Sequence, residues 1–466
     1  MLRFLLPKNL AQSLNWIIYL LVLSLPLERI PSLAIGGANL RISQVLTVIG
    51  IAFWSRQNWN QPLGRVRAVG VFALLFFGLG AGSWLNITDY SRFAITMFGT
   101  VLVFLAAYLI SRVKIDVWRA MQDLVWVLFG AGLFGYYQFI GDMIGLPQVL
   151  TGLREQYTKI VFGIPRVHST AIEPLYFAGM LMIPLIILII SLLYNRPVTI
   201  NPTLINWTSK FKSLSRFASF LTRANEDATN YFVRWILLGF FSVLFILTLS
   251  KGAWLFMSVI LAGLFLTRFR LISGFFNKLF KQFKFQIGLG VTGLLIIGII
   301  AWVSVPTIPA VVEGFGGHLI ATINGESGTI AERQNFIADG WTLLESNPII
   351  GRGSGHYGVG VKDLGRATAD GSYLITNNVY LEVWLEHGLF SFLVFLSFLI
   401  YPLIRLVAVA RDPKASDGKS ITALMLFWIL IGYYLQWTTF SPIFIMPIFI
   451  LIGLAFNLIQ SEEYTK

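Results

Sequence analysis

Residues 376–388 read TNNVYLEVWLEHG, directly before the apolar run LFSFLVFLSFLIYPLI. Asn377, Asn378, Glu382, Glu386 and His387 thus stand at the mouth of a hydrophobic helix. A carboxylate beside hydrocarbon is costly, so such a group has a function or a partner. Glu382 and Glu386 are four apart and share one helix face, while His387 falls on another. Two carboxylates so placed suit proton transfer to or from a hydroxyl; the structural alternative is a pair that binds an arginine or a helix end.

Four other stretches carry chemistry. RVHSTAIEPLYFAG (166–179) sets Arg166, His168 and Glu173 ahead of a second apolar run. Pro174 suits a first helical position, and Glu173 either complements that helix N-terminus or meets a ligand. The planar fork of Arg166 suits phosphate oxygens. Lys251, in SKGAW, is either a snorkelling anchor or a further cation at the same place. TIAE (329–332) reads as a capping box with Thr329 as the cap. The helix it opens carries Arg333 and an apolar face of Phe336, Ile337, Trp341 and Leu344, and SNP (346–348) ends it. GRGSG (351–355) is either a flexible turn or an anion-binding nest.

These groups need elements to hold them, and composition says which. The 466 residues are 56% hydrophobic and 12% charged, with no cysteine. Soluble domains carry about 25% charged residues, so the chain reads as an all-α polytopic membrane protein. Twelve apolar segments are long enough to cross a hydrocarbon core of about 30 Å. They fall near 12–28, 40–55, 66–86, 92–111, 117–141, 173–195, 233–250, 252–268, 286–306, 379–410, 420–438 and 441–459. The first has no small-residue cleavage site and reads as a retained helix. The organisation is nine spans within 1–306, with basic loops at 196–232 and 268–285 and an outer loop at 142–172. A large external loop containing short helices follows at 307–376, and the last three spans occupy 377–466.

With the N-terminus in the cytoplasm, roughly two thirds of the 35 Lys and Arg residues lie on the cytoplasmic side, the expected bias. Both termini are then cytoplasmic and every residue singled out above lies on the outer face. The net charge of +13 is sorted by membrane side and implies no nucleic-acid partner. Basic amphipathic stretches at 204–223 and 270–286 suit the surface of anionic lipids. No ladder of Asp, Glu or His crosses the spans and no pair of Gly/Pro-broken spans recurs between halves. A transporter or flippase for a small anion or lipid-linked sugar is therefore the competing reading and not the leading one.

Arg166 with STAIEP, the SKGAW turn, ERQNFIADGWTLLESNPIIGRGSGHYG and NNVYLEVWLEHG together resemble the O-antigen ligase and O-antigen polymerase superfamily. The resemblance covers most of the chain. It implies a C-type membrane glycosyltransferase of the bacterial inner membrane. Such an enzyme moves glycan from an undecaprenyl-diphosphate carrier to a glycan or lipid acceptor on the periplasmic face. Inversion at the anomeric carbon and no metal or other cofactor are also implied, as are chain-length or export partner proteins. On this pattern Arg166 and Arg333, with Lys251, bind the diphosphate. Asn378, Tyr380, Glu382, His168 and Glu173 contact acceptor or glycan.

The sequence departs from the family pattern twice. Lys251 replaces an arginine and loses the bidentate fork. Asn377 replaces a histidine and cannot take a proton. Proton handling is therefore expected from Glu386, then His356, then His168, with Asn377 orienting the hydroxyl. The loss of the histidine favours a polymerase over a ligase.

Overall fold

The computed structural model describes residues 10–29, 32–35, 38–58, 68–158, 163–200, 222, 225, 227–274, 328–366 and 373–463. The amphipathic stretch 204–223, most of 270–286 and the expected span 286–306 lie outside the described residues, apart from residue 222 and the end of one helix. An antiparallel hairpin of β1 (Ser32–Ile35) and β2 (Ala38–Arg41) is set into a helical bundle. The helices are α1 (Leu10–Leu23), α2 (Ile42–Asn58), α3 (Ala68–Gly80), α4 (Tyr90–Arg112), α5 (Val117–Met143) and α6 (Pro174–Leu193). There follow α7 (Asp227–Leu247) and α8 (Lys251–Gly274), then α9 (Gly328–Glu345) and α10 (His356–Asp363). The last three are α11 (Val379–Arg411), α12 (Asp417–Gln436) and α13 (Met446–Glu463).

Hydrocarbon offers no hydrogen-bond partners, so an apolar run that crosses it closes its own backbone bonds as a helix. Among the described residues eight helices are long and apolar enough to span a membrane: α3 with its 3-10 extension to Asn86, α4 to α8, α11 and α12. Apolar stretches of α1 and α13 are shorter. Asp89 and Asp116 start α4 and α5 as N-caps, each accepting a backbone N–H at 3.0 Å, from Arg92 and Arg119. Pro174 takes the first turn of α6 as expected, and α9 ends at Glu345, ahead of SNP. Because α9 begins at Gly328, Thr329 lies inside it and is not its cap.

α6 is the central post, buried nearly throughout and packed against α5, α7 and α12. α13 lies along α4. Phenylalanines from α3, α4, α11 and α13 fill the space between them, with Phe76–Phe104 and Phe104–Phe449 centroids each 5.1 Å apart. Such aromatic pairs add about 0.5–1.5 kcal/mol beyond the area they bury. The head of α6, the first turns of α4, α8 and α11, and α9 and α10 gather around one end of the bundle, the site end.

α11 is not the single continuous span expected at 379–410. It breaks at Gly388, which has φ 81° and ψ 171°. A break strips carbonyls of their helical donors. The GRGSG segment supplies replacements: the Arg352 N–H bonds the Leu385 carbonyl and the Gly353 N–H bonds that of Glu386, both at 2.9 Å. The Leu389 N–H answers from the far side of the break to Ile349 O at 3.0 Å. Backbones approach so closely here that a Cβ on Gly388 would lie 2.4 Å from Ile349 O, and one on Gly351 2.4 Å from Gly388 N. GRGSG is thus a backbone splint and not an anion nest. Leu343, Leu344, Tyr357, Val361, Leu381 and Leu385 then form a second small core that seats α9 and α10 on the first half of α11.

Gly388→Ala is expected to destabilise the protein by about 2 kcal/mol or more, because strain and a backbone clash coincide. Gly78→Ala, where a Cβ meets nothing within 4 Å, is the control. Thermal unfolding of both purified variants checks this, with a lowered midpoint expected for Gly388→Ala alone.

Candidate functional site

Three cations expected to act together come from three separate segments. Arg166 precedes α6, with its N–H on Tyr157 O at 2.7 Å and its Nε on Thr248 O at 3.4 Å. Its guanidinium also stands 5.7 Å from the centre of the Tyr157 ring. Lys251 opens α8, three residues past Thr248. Arg333 lies in the first turns of α9. Burial lowers the pKa of Arg166, and the Arg333 charge lowers it further, so the two guanidinia sit within each other's fields. Lys251 stands within the field of Arg166 as well.

Glu173 is the anion among them. It occupies the N-cap position of α6, yet its side chain makes no capping bond. Burial pushes its pKa up, and Arg154, Arg166 and Arg333 pull it down. Among the described residues no ion pair within 4.0 Å joins it to these arginines. The charges act across space, so the arginines keep donors for an incoming anion.

The second polar group lies on the first half of α11. Asn377 has φ 54°, a left-handed conformation that asparagine tolerates, and its N–H bonds Ser441 Oγ at 3.1 Å. Asn378 is the N-cap of α11, its Oδ1 accepting the Leu381 N–H at 3.0 Å. The Tyr380 hydroxyl is committed to Tyr434 O at 2.8 Å. Glu382 and Glu386 share one face, as their spacing requires, and are 6% and 4% exposed. Each carboxylate takes a backbone N–H: Glu382 from Ile443 at 3.0 Å, Glu386 from Tyr357 at 3.2 Å, in the first turn of α10. His387 faces the opposite way, against Phe76. The segment 441–443 joins the two groups, since Ser441 O also accepts the Tyr176 hydroxyl from α6 at 2.8 Å.

Neither other histidine stands beside the carboxylate face. His168 donates from Nδ1 to Ser169 O, and its Nε2 accepts from the Arg154 N–H and faces Arg29. His356 lies between Thr88 and Arg352, with contacts of 3.3 and 3.2 Å to its two ring nitrogens. Burial, with an arginine beside each, holds both pKa values down at about 4, so both rings are neutral at pH 7. These hydrogen bonds give both rings a structural role.

Four residues went unnoticed in the sequence. Arg92, at the start of α4, donates from Nε to Gly355 O at 3.0 Å and stacks 4.0 Å from the Tyr373 ring centre. Tyr373 is itself tied to Asp89 at 2.8 Å. Ser354, in the splint, has a buried hydroxyl without a hydrogen-bond partner among the described residues. Glu28, before the hairpin, is 3% exposed, and burial pushes its pKa up to about 7. Arg154 donates to Ile172 O at 3.2 Å beside the cations. No local pattern marks any of them; each matters through non-local packing. Among the described residues no three His, Cys, Asp or Glu side chains gather as a metal site.

Residues 236–396 match the family model described as O-antigen ligase. The match supports the O-antigen ligase and polymerase superfamily and a ligase- or polymerase-type function. It takes in Lys251, Arg333, His356, Asn377, Glu382 and Glu386; Arg92, Arg166 and Glu173 lie N-terminal to it. A search of curated proteins found no match.

The buried histidines set a pH dependence of stability. The folded pKa of His168 lies below its ordinary 6.5, so the unfolded chain takes the proton first. Its contribution is full above pH 6.5 and is lost as pH falls through about 4. The melting temperature is expected to drop across that window, and less steeply in His168→Gln, as fluorescence-detected melting at stepped pH would show.

Proposed function

With the O-antigen ligase match as the premise, we propose that this protein transfers glycan from a polyprenyl-diphosphate carrier, of the undecaprenyl type, to an acceptor hydroxyl at the site end. The observation that carries the reading is the meeting of Arg166, Arg333 and Lys251, brought from three distant segments to the head of the buried α6. In the reaction the bond between the anomeric carbon and the diphosphate oxygen breaks, and a bond from the acceptor oxygen to that carbon forms. Negative charge grows on the leaving diphosphate, and preorganised cations favour that state over the ground state. The three cations do this without a metal. Attack from the side opposite the diphosphate inverts the anomeric centre.

The acceptor hydroxyl loses its proton to Glu173. This carboxylate stands among the arginines and spends no hydrogen bond on its own helix end. When the diphosphate neutralises the arginines, their pull on Glu173 weakens and it becomes a stronger base. Asn377, in the turn that opens α11, orients the hydroxyl, and Glu386 and Glu382 act on the acceptor side. The absence of a histidine at position 377 favours polymerisation of repeat units over ligation. The site end faces the periplasm in this reading, and both termini are cytoplasmic.

Arg166→Ala and Arg333→Ala are each expected to lower transfer by about 10²–10³ while the protein still inserts. Lys251→Ala, which removes a point charge and no fork, should cost about tenfold. The measurement is product formation from lipid-diphosphate glycan by protein in vesicles, without nucleotide or added metal. Near-normal activity in both arginine variants would falsify the diphosphate assignment. The wild-type rate is expected to rise with pH as the base loses its proton, and Glu173→Gln should abolish that rise; an unchanged pH profile would place the proton elsewhere.

A further inference from the structure

Beneath α10, between α4, the first half of α11 and the segment 442–444, lies a cavity of about 70 Å³. Its polar lining includes Arg92, Thr96, Ser354, Thr376, Glu382 and Glu386, and its apolar wall includes Leu374 and Phe444. The cations described above do not line it. We propose that this cavity is a subsite for an uncharged, hydroxyl-bearing edge of a sugar, on the acceptor side of the reaction; the inference rests on the glycan-transfer reading.

The charges select the ligand class. An anion would meet two carboxylates, and a cation would meet the Arg92 guanidinium. A neutral polyol suits both, since its hydroxyls donate to carboxylates and accept from arginine. The backbone N–H groups of Tyr357 and Ile443 take only part of the roughly four acceptor positions each carboxylate offers. Ser354 is 3% exposed, and its hydroxyl has no partner among the described residues. A buried hydroxyl left unpaired costs about 1–3 kcal/mol, which a sugar hydroxyl would recover. The apolar wall matches the C–H face of a pyranose.

Size and rigidity narrow the ligand further. A cavity needs about 10–15 Å³ measured in this way to hold one water, so the space takes several hydroxyl-sized groups, enough for the polar edge of a sugar. Arg92 is held ready to donate, because Gly355 O fixes its Nε and the Tyr373 ring lies against its plane. Tyr373 is held in turn by Asp89, the cap of α4, whose pKa is lowered to about 2 by the Arg92 N–H, Tyr373 and Ser91. Little conformational entropy then remains to be lost on binding.

The test uses the full chain in vesicles with lipid-diphosphate glycan as donor and a soluble oligosaccharide of the same repeat as acceptor. Ser354→Val removes the hydroxyl and fills the space, and Arg92→Lys keeps the charge but loses the fork. Each is expected to raise the acceptor KM about five- to tenfold, the loss of one hydrogen bond, with the donor KM unchanged. An unchanged acceptor KM in both variants, in a preparation whose wild type transfers glycan, overturns the subsite alone. If the wild type makes no product, the transfer reading falls. The subsite is then judged by saturation-transfer NMR with methyl glycosides as probe: signal lost in Ser354→Val sustains it, and signal retained rejects it.

Discussion

Everything at the site end depends on how the break in α11 is satisfied. A gap in a helix at membrane depth exposes carbonyls that lipid cannot solvate, and each costs several kcal/mol unless protein supplies a donor. Here the donors come from residues 352 and 353. The same few bonds that repair the helix also fix α9 and α10 on its first half. Arg333, Ser354 and the carboxylate face of α11 therefore hold positions set by one backbone junction. Function at this end follows from a repair forced by the solvent.

The charges are arranged by the same economy. Buried ions are tolerated where partners or backbone dipoles answer them. Glu382 and Glu386 take N–H groups at chain breaks, Glu386 in the first turn of α10, where the helix dipole favours an anion. Arg92 and Arg154 donate to carbonyls. The cluster at the head of α6 is answered differently, because its arginines and Glu173 influence one another without touching. That contrast separates charges met by direct hydrogen bonds from charges that balance one another across space.

Much of this was legible in the sequence, for physical reasons. Long apolar runs dictated the helices, Pro174 marked the first turn of α6, and SNP ended α9. The i, i+4 spacing put Glu382 and Glu386 on one face. What stayed hidden was non-local. Gly388 follows Glu386 and His387 at the mouth of the apolar run, and a glycine after two polar residues there reads as a span boundary and not as a break inside a helix. GRGSG looked like a nest because its partners, the Leu385 and Glu386 carbonyls, are backbone atoms that no residue type announces. Asn377 looked like a lost base, yet its φ of 54° belongs to a region that asparagine and histidine both enter more readily than most residues. That position carries a backbone requirement as well as a chemical one. Arg92 was passed over because TDYSRF reads as an ordinary rim between spans, and its worth comes from Gly355 and Tyr373.

The splint has a consequence for motion. The chain contains no cysteine, so backbone hydrogen bonds and one small apolar core, with side-chain contacts, hold α9 and α10 on α11. Lifting that pair by a fraction of its travel would leave the Leu385 and Glu386 carbonyls without donors before water could reach them. Partial detachment is thus the costliest point on the path. The contacts are therefore made or lost together, and any ligand that steadies the seated position steadies the sugar cavity, the carboxylates and Arg333 in one step.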